Sequence, residues 1–180
     1  MRAVILAAGS SSRIGKQKLL MPFRGRPLIE YSIEAAARWQ PVVVCSREVA
    51  HHLAGRADVA LIRNEEPELG MSHSLTLANR AIEEDVAIGV LLADKPLVSE
   101  DLIETVRRAS RGADVTYPQH GGQPGHPVVL SPRARRFIDH LPPGDTVRLL
   151  RAHLALSVHP VDTADEGAFF DIDTIDAFEP

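Results

Sequence analysis

Short runs of apolar residues, separated by helix-like stretches, constrain the fold of this chain more than any other feature. Four such runs are rich in strand-forming residues, at 3–6, 42–45, 59–62 and 86–92. Amphipathic stretches at 28–39 and 102–108 lie between or after them, and this alternation indicates βαβ units. Because the runs are nearly continuous in apolar residues, we expect an α/β fold with a mostly parallel sheet and helices on both faces.

The pattern loosens after about residue 112, and we expect this half of the chain to close over an edge of the sheet. It contains a turn-rich stretch at 121–125, a strand at 128–130 and a helix-breaking Pro-Pro-Gly at 142–144. No repeat, low-complexity tract or linker divides the 180 residues. The sequence therefore predicts a single domain over residues 1–180.

Composition excludes several classes of function. Asp and Glu (24) outnumber Lys and Arg (20), and aromatic residues make up 4%, which argues against a nucleic-acid partner. One cysteine, Cys45, allows neither a disulfide framework nor a cysteine zinc site. No apolar run approaches the roughly 20 residues of a membrane helix. We expect a cytoplasmic protein without a membrane partner. Small phosphorylated molecules remain possible ligands.

The loop after the first apolar run is where a ligand site is expected, because ligands of open α/β sheets bind beyond the carboxyl ends of the strands. It runs from Ala7 to Lys18. Small residues let backbone N–H groups approach a phosphate, serine hydroxyls add donors, and Arg13, Lys16 and Lys18 supply positive charge. This composition suits a triphosphate, whereas a solvated turn is the alternative interpretation.

Counting the spacings in this loop excludes two common phosphate-binding motifs. A Walker loop has four residues between its glycines, whereas Gly9 and Gly15 enclose five and are followed by Lys16-Gln17. The dinucleotide fingerprint requires glycine where Ser11 and Ile14 stand. The loop belongs to neither type.

Acidic residues follow the last of the four runs and recur near the end of the chain. Asp94 follows the run at 86–92 after one alanine, Ala93, on the same side of the predicted sheet as the first loop, where a carboxylate can hold Mg²⁺ against phosphate oxygens. Asp171 and Asp173 are two residues apart, so on an extended segment they point the same way. They would complete a metal site or cap a final helix at 173–178, and alone they favour the cap.

Five short segments occur in a fixed order along the chain, at residues 6–15 with Lys18, 70–75, 93–96, 125–128 and 171–174. Together they resemble the molybdenum cofactor cytidylyltransferase family, which has a MobA-like nucleotidyltransferase domain. The first segment is shared by many nucleotidyltransferases, and the later four give the resemblance its specificity. The resemblance covers nearly the whole chain.

The resemblance implies a Rossmann-like domain of the nucleotide-diphospho-sugar transferase type. Its members join the nucleoside monophosphate of CTP to the terminal phosphate of molybdenum cofactor (molybdopterin), and release pyrophosphate with Mg²⁺. The implied catalytic residues are Arg13, Lys18 and Asp94. The implied nucleotide-binding residues are Ala7, Ala8, Gly9, Ser10, Ser11, Ser12, Arg13, Lys18 and Ser74. The implied pterin-side residues are Gly70, Ser72 and His126. The implied metal ligands are Asp94, Asp173 and, as a further candidate, Asp171.

Three residues bear on the details of this resemblance. Lys95 stands where members usually carry an uncharged residue, and we expect its side chain to point to solvent rather than to a ligand phosphate. His73 occupies a position where a small residue is common. At position 8 the chain has alanine, which resembles the cytidylyl branch of the family, whereas the guanylyl branch has glycine there. CTP is therefore favoured over other nucleoside triphosphates. The family also implies a molybdenum hydroxylase or its insertion factor as a protein partner.

Two other functions remain open from the sequence. A sugar-phosphate or alditol-phosphate nucleotidyltransferase would share the first loop and Asp94. A non-catalytic carrier of nucleotide or pterin cofactor would not need the full set of charged residues. A serine hydrolase is disfavoured, because Ser74 replaces the second glycine of its nucleophile elbow and a polar loop precedes Gly70.

Overall fold

The computed structural model of the chain describes residues 1–9, 17–142 and 147–172. Within these ranges the strands are β1 (Arg2–Ala7), β2 (Pro22–Phe23), β3 (Arg26–Pro27), β4 (Val42–Cys45), β5 (Ala60–Arg63), β6 (Ile88–Leu92), β7 (Val115–His120), β8 (Gln123–Pro124), β9 (Val128–Leu130) and β10 (Val158–Asp162). The α-helices are α1 (Leu28–Ala36), α2 (Arg47–His52), α3 (Gly70–Ala81), α4 (Glu100–Ala109), α5 (Pro132–Arg135) and α6 (Val147–Arg151). None of the helices in these ranges is long and apolar enough to cross a membrane.

One sheet contains all of these strands except the small β2–β3 hairpin, in the order β5-β4-β1-β6-β9-β7-β10, with β8 paired to β7. The strands β5, β4, β1 and β6 are mutually parallel. The strand β9 runs antiparallel between β6 and β7, and β10 is parallel to β7. The expected α/β class with a mostly parallel sheet is confirmed.

Helices cover both faces of the sheet, because successive strand residues point to opposite sides. Ile5 of β1 belongs to one apolar cluster and Val4 to the other. The first cluster packs against α1 and α4 through Ile29, Ile33, Ile103 and Val106. The second packs against α3, α5 and α6 through Leu75, Ala78, Ala134 and Leu150. All four residues of β4 are buried, as expected for a strand covered on both sides.

Most of the predicted elements occur close to their predicted bounds. The strands at 42–45 and 128–130 are present as predicted, and the helix predicted over 102–108 begins earlier, at Glu100. Its N-cap is Ser99, whose side chain accepts a hydrogen bond from the backbone N–H of Leu102 at 3.1 Å. The expectation for the second half was wrong: β7, β9 and β10 extend the sheet itself instead of closing over its edge.

A buried arginine holds the end of α3 in place. Arg135 is 3% exposed, and its guanidinium donates to the backbone carbonyls of Asn79, Ile82, Glu83 and Val86 and to the side-chain oxygen of Asn79. The last carbonyls of a helix lack partners within the helix and carry partial negative charge. Arg135 therefore satisfies the carboxyl end of the helix whose amino end, at Gly70, faces the candidate site.

Replacing Arg135 by methionine is expected to lower the free energy of unfolding by about 3–5 kcal/mol, because buried carbonyls would lose their charged donor. Urea denaturation followed by circular dichroism measures this change. The matched control is Arg136→Met, which removes the neighbouring exposed guanidinium and should change stability by less than about 0.5 kcal/mol. Equal effects of the two substitutions would contradict the anchoring role of Arg135.

Candidate nucleotide-binding site

A cavity of about 350 Å³ opens beyond the carboxyl ends of β1 and β6. The chain leaves β1 to form β4 and β5 on one side and later returns to form β6 on the other. Adjacent strands whose connections leave in opposite directions create the crevice where open α/β sheets bind ligands. Predicted site residues in the lining of this cavity are Ala7, Ala8, Gly9, Lys18, Gly70, Ser74 and Asp94.

The first part of the predicted phosphate loop lies in this lining. Ala7 and Ala8 are buried, whereas Gly9 is exposed and has open space where a Cβ would be. Open space beside backbone N–H groups suits the close approach of a phosphate or a base. Ser10, Ser11, Ser12 and Arg13 lie outside the described residues, so their roles stay predictions.

Lys18 and Asp94, which are 76 positions apart in the chain, meet at the cavity. The Nζ of Lys18 lies 3.0 Å from Oδ2 of Asp94 and donates to the carbonyl of Ile172 at 2.8 Å. The backbone N–H of Ile172 donates to the carbonyl of Asp94 at 3.0 Å. These bonds fasten the C-terminal segment, residues 168–172, beside Asp94. The next residue along the chain is Asp173, which lies outside the described residues.

The second carboxylate oxygen of Asp94 suits a hard cation. Asp94 Oδ1 is buried and has no hydrogen-bond partner among the described residues. In those same ranges, no group of three His, Cys, Asp or Glu side chains is placed to hold a metal ion. Mg²⁺ does not need such a cage, because it keeps water ligands and binds through one or two carboxylates together with substrate phosphates. Asp94 therefore fits Mg²⁺ as one protein ligand of a metal-nucleotide complex.

The expectation that Lys95 points to solvent was wrong. Lys95 is 6% exposed, and its Nζ donates to the carbonyl of Phe169 at 3.0 Å and lies 3.4 Å from Oδ2 of Asp171. The C-terminal segment packs over this side chain and removes it from water. Asp171 itself is about half exposed and pairs with Lys95, so its role as a metal ligand stays a prediction.

His126 lies at the same edge of the sheet as Asp94, because β9 runs antiparallel to β6 with Val128 opposite Val90. Its Nε2 is buried without a hydrogen-bond partner in the described part of the chain. Burial, followed by the positive charges of Lys95 and Arg151, lowers the pKa of His126 to about 3. The imidazole is therefore neutral near pH 7 and can donate to or accept from a ligand.

The glycine before His126 has a steric cause. A Cβ on Gly125 would lie 2.6 Å from the carbonyl oxygen of Ala168, which also accepts the backbone N–H of His126 at 3.0 Å. A side chain at Gly125 would push the C-terminal segment away from this loop. Gly125 thus allows the close approach in which the backbone N–H of His126 reaches the Ala168 carbonyl.

The remaining predicted residues divide between the cavity and its surroundings. Gly70 and Ser74 line the cavity at the start of α3, whereas Ser72 uses its hydroxyl to donate to the carbonyl of Pro142 at 3.0 Å. Ser72 and His126 are not in the lining, so their pterin-side roles stay predictions.

Sequence reasoning missed Asn64, a buried polar residue directly after β5. The available signal was a lone amide side chain at the carboxyl end of an apolar strand.

A cavity at the switch point of a mostly parallel sheet, faced by a lysine and a carboxylate with an unpaired oxygen, defines an α/β domain suited to a metal-bound nucleotide. Residues 3–159 match the family described as MobA-like NTP transferase domain. The chain belongs to this family, as its sequence motifs indicate.

Known proteins of similar sequence have different activities. The chain is 25% identical over 181 residues to the molybdenum cofactor cytidylyltransferase of Escherichia coli, covering 97% of this chain and 92% of that protein. It is 26% identical to nicotine blue oxidoreductase of Paenarthrobacter nicotinovorans, covering 96% and 92%. It is 33% identical over 129 residues to the bifunctional protein GlmU of Thermotoga maritima, covering 64% of this chain and only 27% of that protein.

Solved structures share the fold along the whole chain. Rv0371c from Mycobacterium tuberculosis H37Rv has a TM-score of 0.85 at 22% identity, covering 98% of this chain and 94% of that chain. Its complex with manganese has a TM-score of 0.80 at 20% identity, covering 98% and 95%. These structures show that the α/β fold described above is shared over 98% of this chain.

Proposed function

We propose that the protein transfers the cytidine monophosphate of CTP to the terminal phosphate of molybdenum cofactor and releases pyrophosphate. The Lys18–Asp94 pair at the cavity supports this proposal most strongly, because it joins a cation for phosphate charge to a carboxylate oxygen left open for a metal. The similarity to a molybdenum cofactor cytidylyltransferase over 97% of the chain supports the choice of acceptor.

In this reaction an oxygen of the acceptor phosphate forms a bond to the α-phosphorus of CTP, and the bond from that phosphorus to the bridging oxygen breaks. Pyrophosphate leaves with the bridging oxygen and its electron pair. Such a transfer needs in-line positioning and charge neutralisation and no protein nucleophile. Bound Mg²⁺, held by Asp94 and Asp173, would neutralise phosphate charge.

The residues of the chain divide this work between them. The backbone of Ala7, Ala8 and Gly9 approaches the base and phosphates at the carboxyl end of β1. Lys18 neutralises phosphate charge at the cavity wall, and its bonds to Asp94 and to the Ile172 carbonyl hold it in place. The neutral imidazole of His126 offers a hydrogen bond to the acceptor at the adjoining edge.

A second candidate function is transfer to a sugar phosphate. The similarity to GlmU supports it, although the matched part covers only 27% of that protein. A non-catalytic carrier of the cofactor is the remaining alternative. The nicotine blue oxidoreductase relative shows that chains of this length and similarity also perform other reactions, so activity has to be measured directly.

Pyrophosphate release measured with a panel of substrates tests the proposal. Each of the four nucleoside triphosphates is combined with molybdenum cofactor, with a sugar 1-phosphate or with an alditol phosphate, with Mg²⁺ and with excess EDTA. We expect release with CTP, molybdenum cofactor and Mg²⁺, and its loss in EDTA. Release with sugar phosphate alone would favour the second candidate, and tight cofactor binding without any release would favour the carrier. A molybdenum hydroxylase or its insertion factor is the proposed recipient of the product.

A further inference from the structure

Asn64 is a buried polar side chain that the proposed reaction does not yet use. It follows β5 directly and is 3% exposed, and its backbone N–H donates to the carbonyl of Cys45 at 2.9 Å. Its position at the carboxyl end of a strand places it at the same edge of the sheet as the cavity. A buried amide must satisfy both its oxygen and its nitrogen, so its contacts define its role.

The orientation of the Asn64 amide is set by the backbone. The N–H of Glu66 donates to Oδ1 of Asn64 at 2.9 Å, and an N–H can only be met by the oxygen end of the amide. The nitrogen end therefore faces the other way, where Nδ2 donates to Oγ of Ser74 at 2.9 Å. A flipped amide would place two donors against the Glu66 N–H and lose this bond.

Ser74 links Asn64 to the cavity, because it accepts the hydrogen bond from Asn64 and lines the cavity wall. The residue is 5% exposed and lines the cavity at the first turns of α3. Because Oγ already accepts from Asn64, the hydroxyl keeps its own proton for another partner. No acceptor for that proton is found among the residues that the structure describes. An unpaired buried donor costs free energy, so a ligand that brings an acceptor atom relieves this cost.

We infer that Asn64 is a positioning residue that fixes Ser74 as a hydrogen-bond donor to an acceptor atom of the nucleotide base. The inference rests on the proposed nucleotide function and deepens it. A base that presents a carbonyl oxygen or an unprotonated ring nitrogen to Ser74 is favoured. A base that presents an N–H there leaves the serine proton unpaired and is rejected.

Asn64→Asp reverses the polarity of this pair. Both carboxylate oxygens accept, so one keeps the Glu66 N–H and the other takes the proton of Ser74. Oγ of Ser74 then turns only lone pairs towards the acceptor atom of the base. We expect the Kd for CTP to rise about 30-fold, compared with about tenfold for Ser74→Ala, which removes the hydrogen bond without replacing it by a repulsion.

The decisive measurement is a double-mutant cycle by isothermal titration calorimetry with CTP and Mg²⁺ at pH 8, without an acceptor substrate. If Asn64 acts through Ser74, Asn64→Asp should change the Kd by less than about twofold in the Ser74→Ala background. Thr76→Ala, a loss of a hydroxyl on the same helix outside the cavity lining, is the matched control and should bind CTP as the unmodified protein does.

Each outcome separates the inference from the function on which it rests. An equal weakening by Asn64→Asp in both backgrounds would mean that the new charge repels the triphosphate directly, and would overturn the inference alone. Failure of the unmodified protein to bind any nucleoside triphosphate would overturn the proposed function as well. If Asn64→Asp does not fold, Asn64→Leu takes its place, and its few-fold loss should likewise vanish in Ser74→Ala.

Discussion

Asp94→Asn is expected to reduce pyrophosphate release by on the order of 10³-fold or more, with the fold intact. The substitution keeps the shape of the side chain but removes the charge that pairs with Lys18 at 3.0 Å. It also puts either an amide nitrogen or an uncharged amide oxygen in place of Oδ1, the carboxylate oxygen that is buried without a partner among the described residues and suits Mg²⁺. Both the balance of charge at the cavity and the proposed metal ligand are lost in one change.

The rate is measured at saturating CTP and Mg²⁺ with a coupled pyrophosphate assay, and folding is followed by thermal denaturation. Asp101→Asn, which neutralises an exposed carboxylate in the first turn of α4, is the matched control and should leave the rate unchanged. Full turnover by Asp94→Asn would show that Asp94 does not hold the metal. A collapse of the thermal transition would assign it a structural role.

Arg13→Ala is expected to lower kcat by on the order of 10³-fold, by analogy with arginines that neutralise transferring phosphoryl groups. Arg13 lies outside the described residues, and in the sequence it follows Ala7, Ala8 and Gly9, which line the cavity. A guanidinium can bind two phosphate oxygens at once, so Arg13→Lys, which keeps the charge but loses this fork, should recover only part of the rate.

The same pyrophosphate assay gives kcat and KM for both variants, and thermal denaturation gives their stability. Arg111→Ala, at an exposed position after α4, is the control for the loss of one positive charge. A large fall in stability with kcat preserved would contradict the catalytic role and make Arg13 a structural residue of the loop.

Strands were predictable from the sequence where burial on both faces leaves a continuous apolar run. The strand β4 reads Val-Val-Val-Cys and is buried throughout, so its bounds were predicted correctly. The strands β7 and β10 contain Pro118 and Pro160, and proline in an apolar run argues against a strand. The structure accommodates Pro160 because β10 is the last strand of the sheet order, where one side of the strand needs no partner.

The candidate site was predictable to the extent that its residues follow strand ends. Asp94 and Lys18 were both selected on that ground, and the structure brings them to one cavity. The surroundings of Lys95 were not predictable, because the segment that buries it comes from Phe169, 74 residues further along the chain. Asn64 was missed because its contact with Ser74, ten residues further along and in another element, is not visible in the sequence.

The sequence alone determined the alternation of strands and helices, the glycine- and serine-rich loop after the first strand, and the order of motifs that shows the family. These features are local, because periodicity and spacing act over a few residues. The tertiary structure alone decided that Lys18 meets Asp94, that Lys95 is buried by the C-terminal segment and that Asn64 donates a hydrogen bond to Ser74. Those contacts join distant parts of the chain, and only the packing of the sheet brings them within hydrogen-bonding distance.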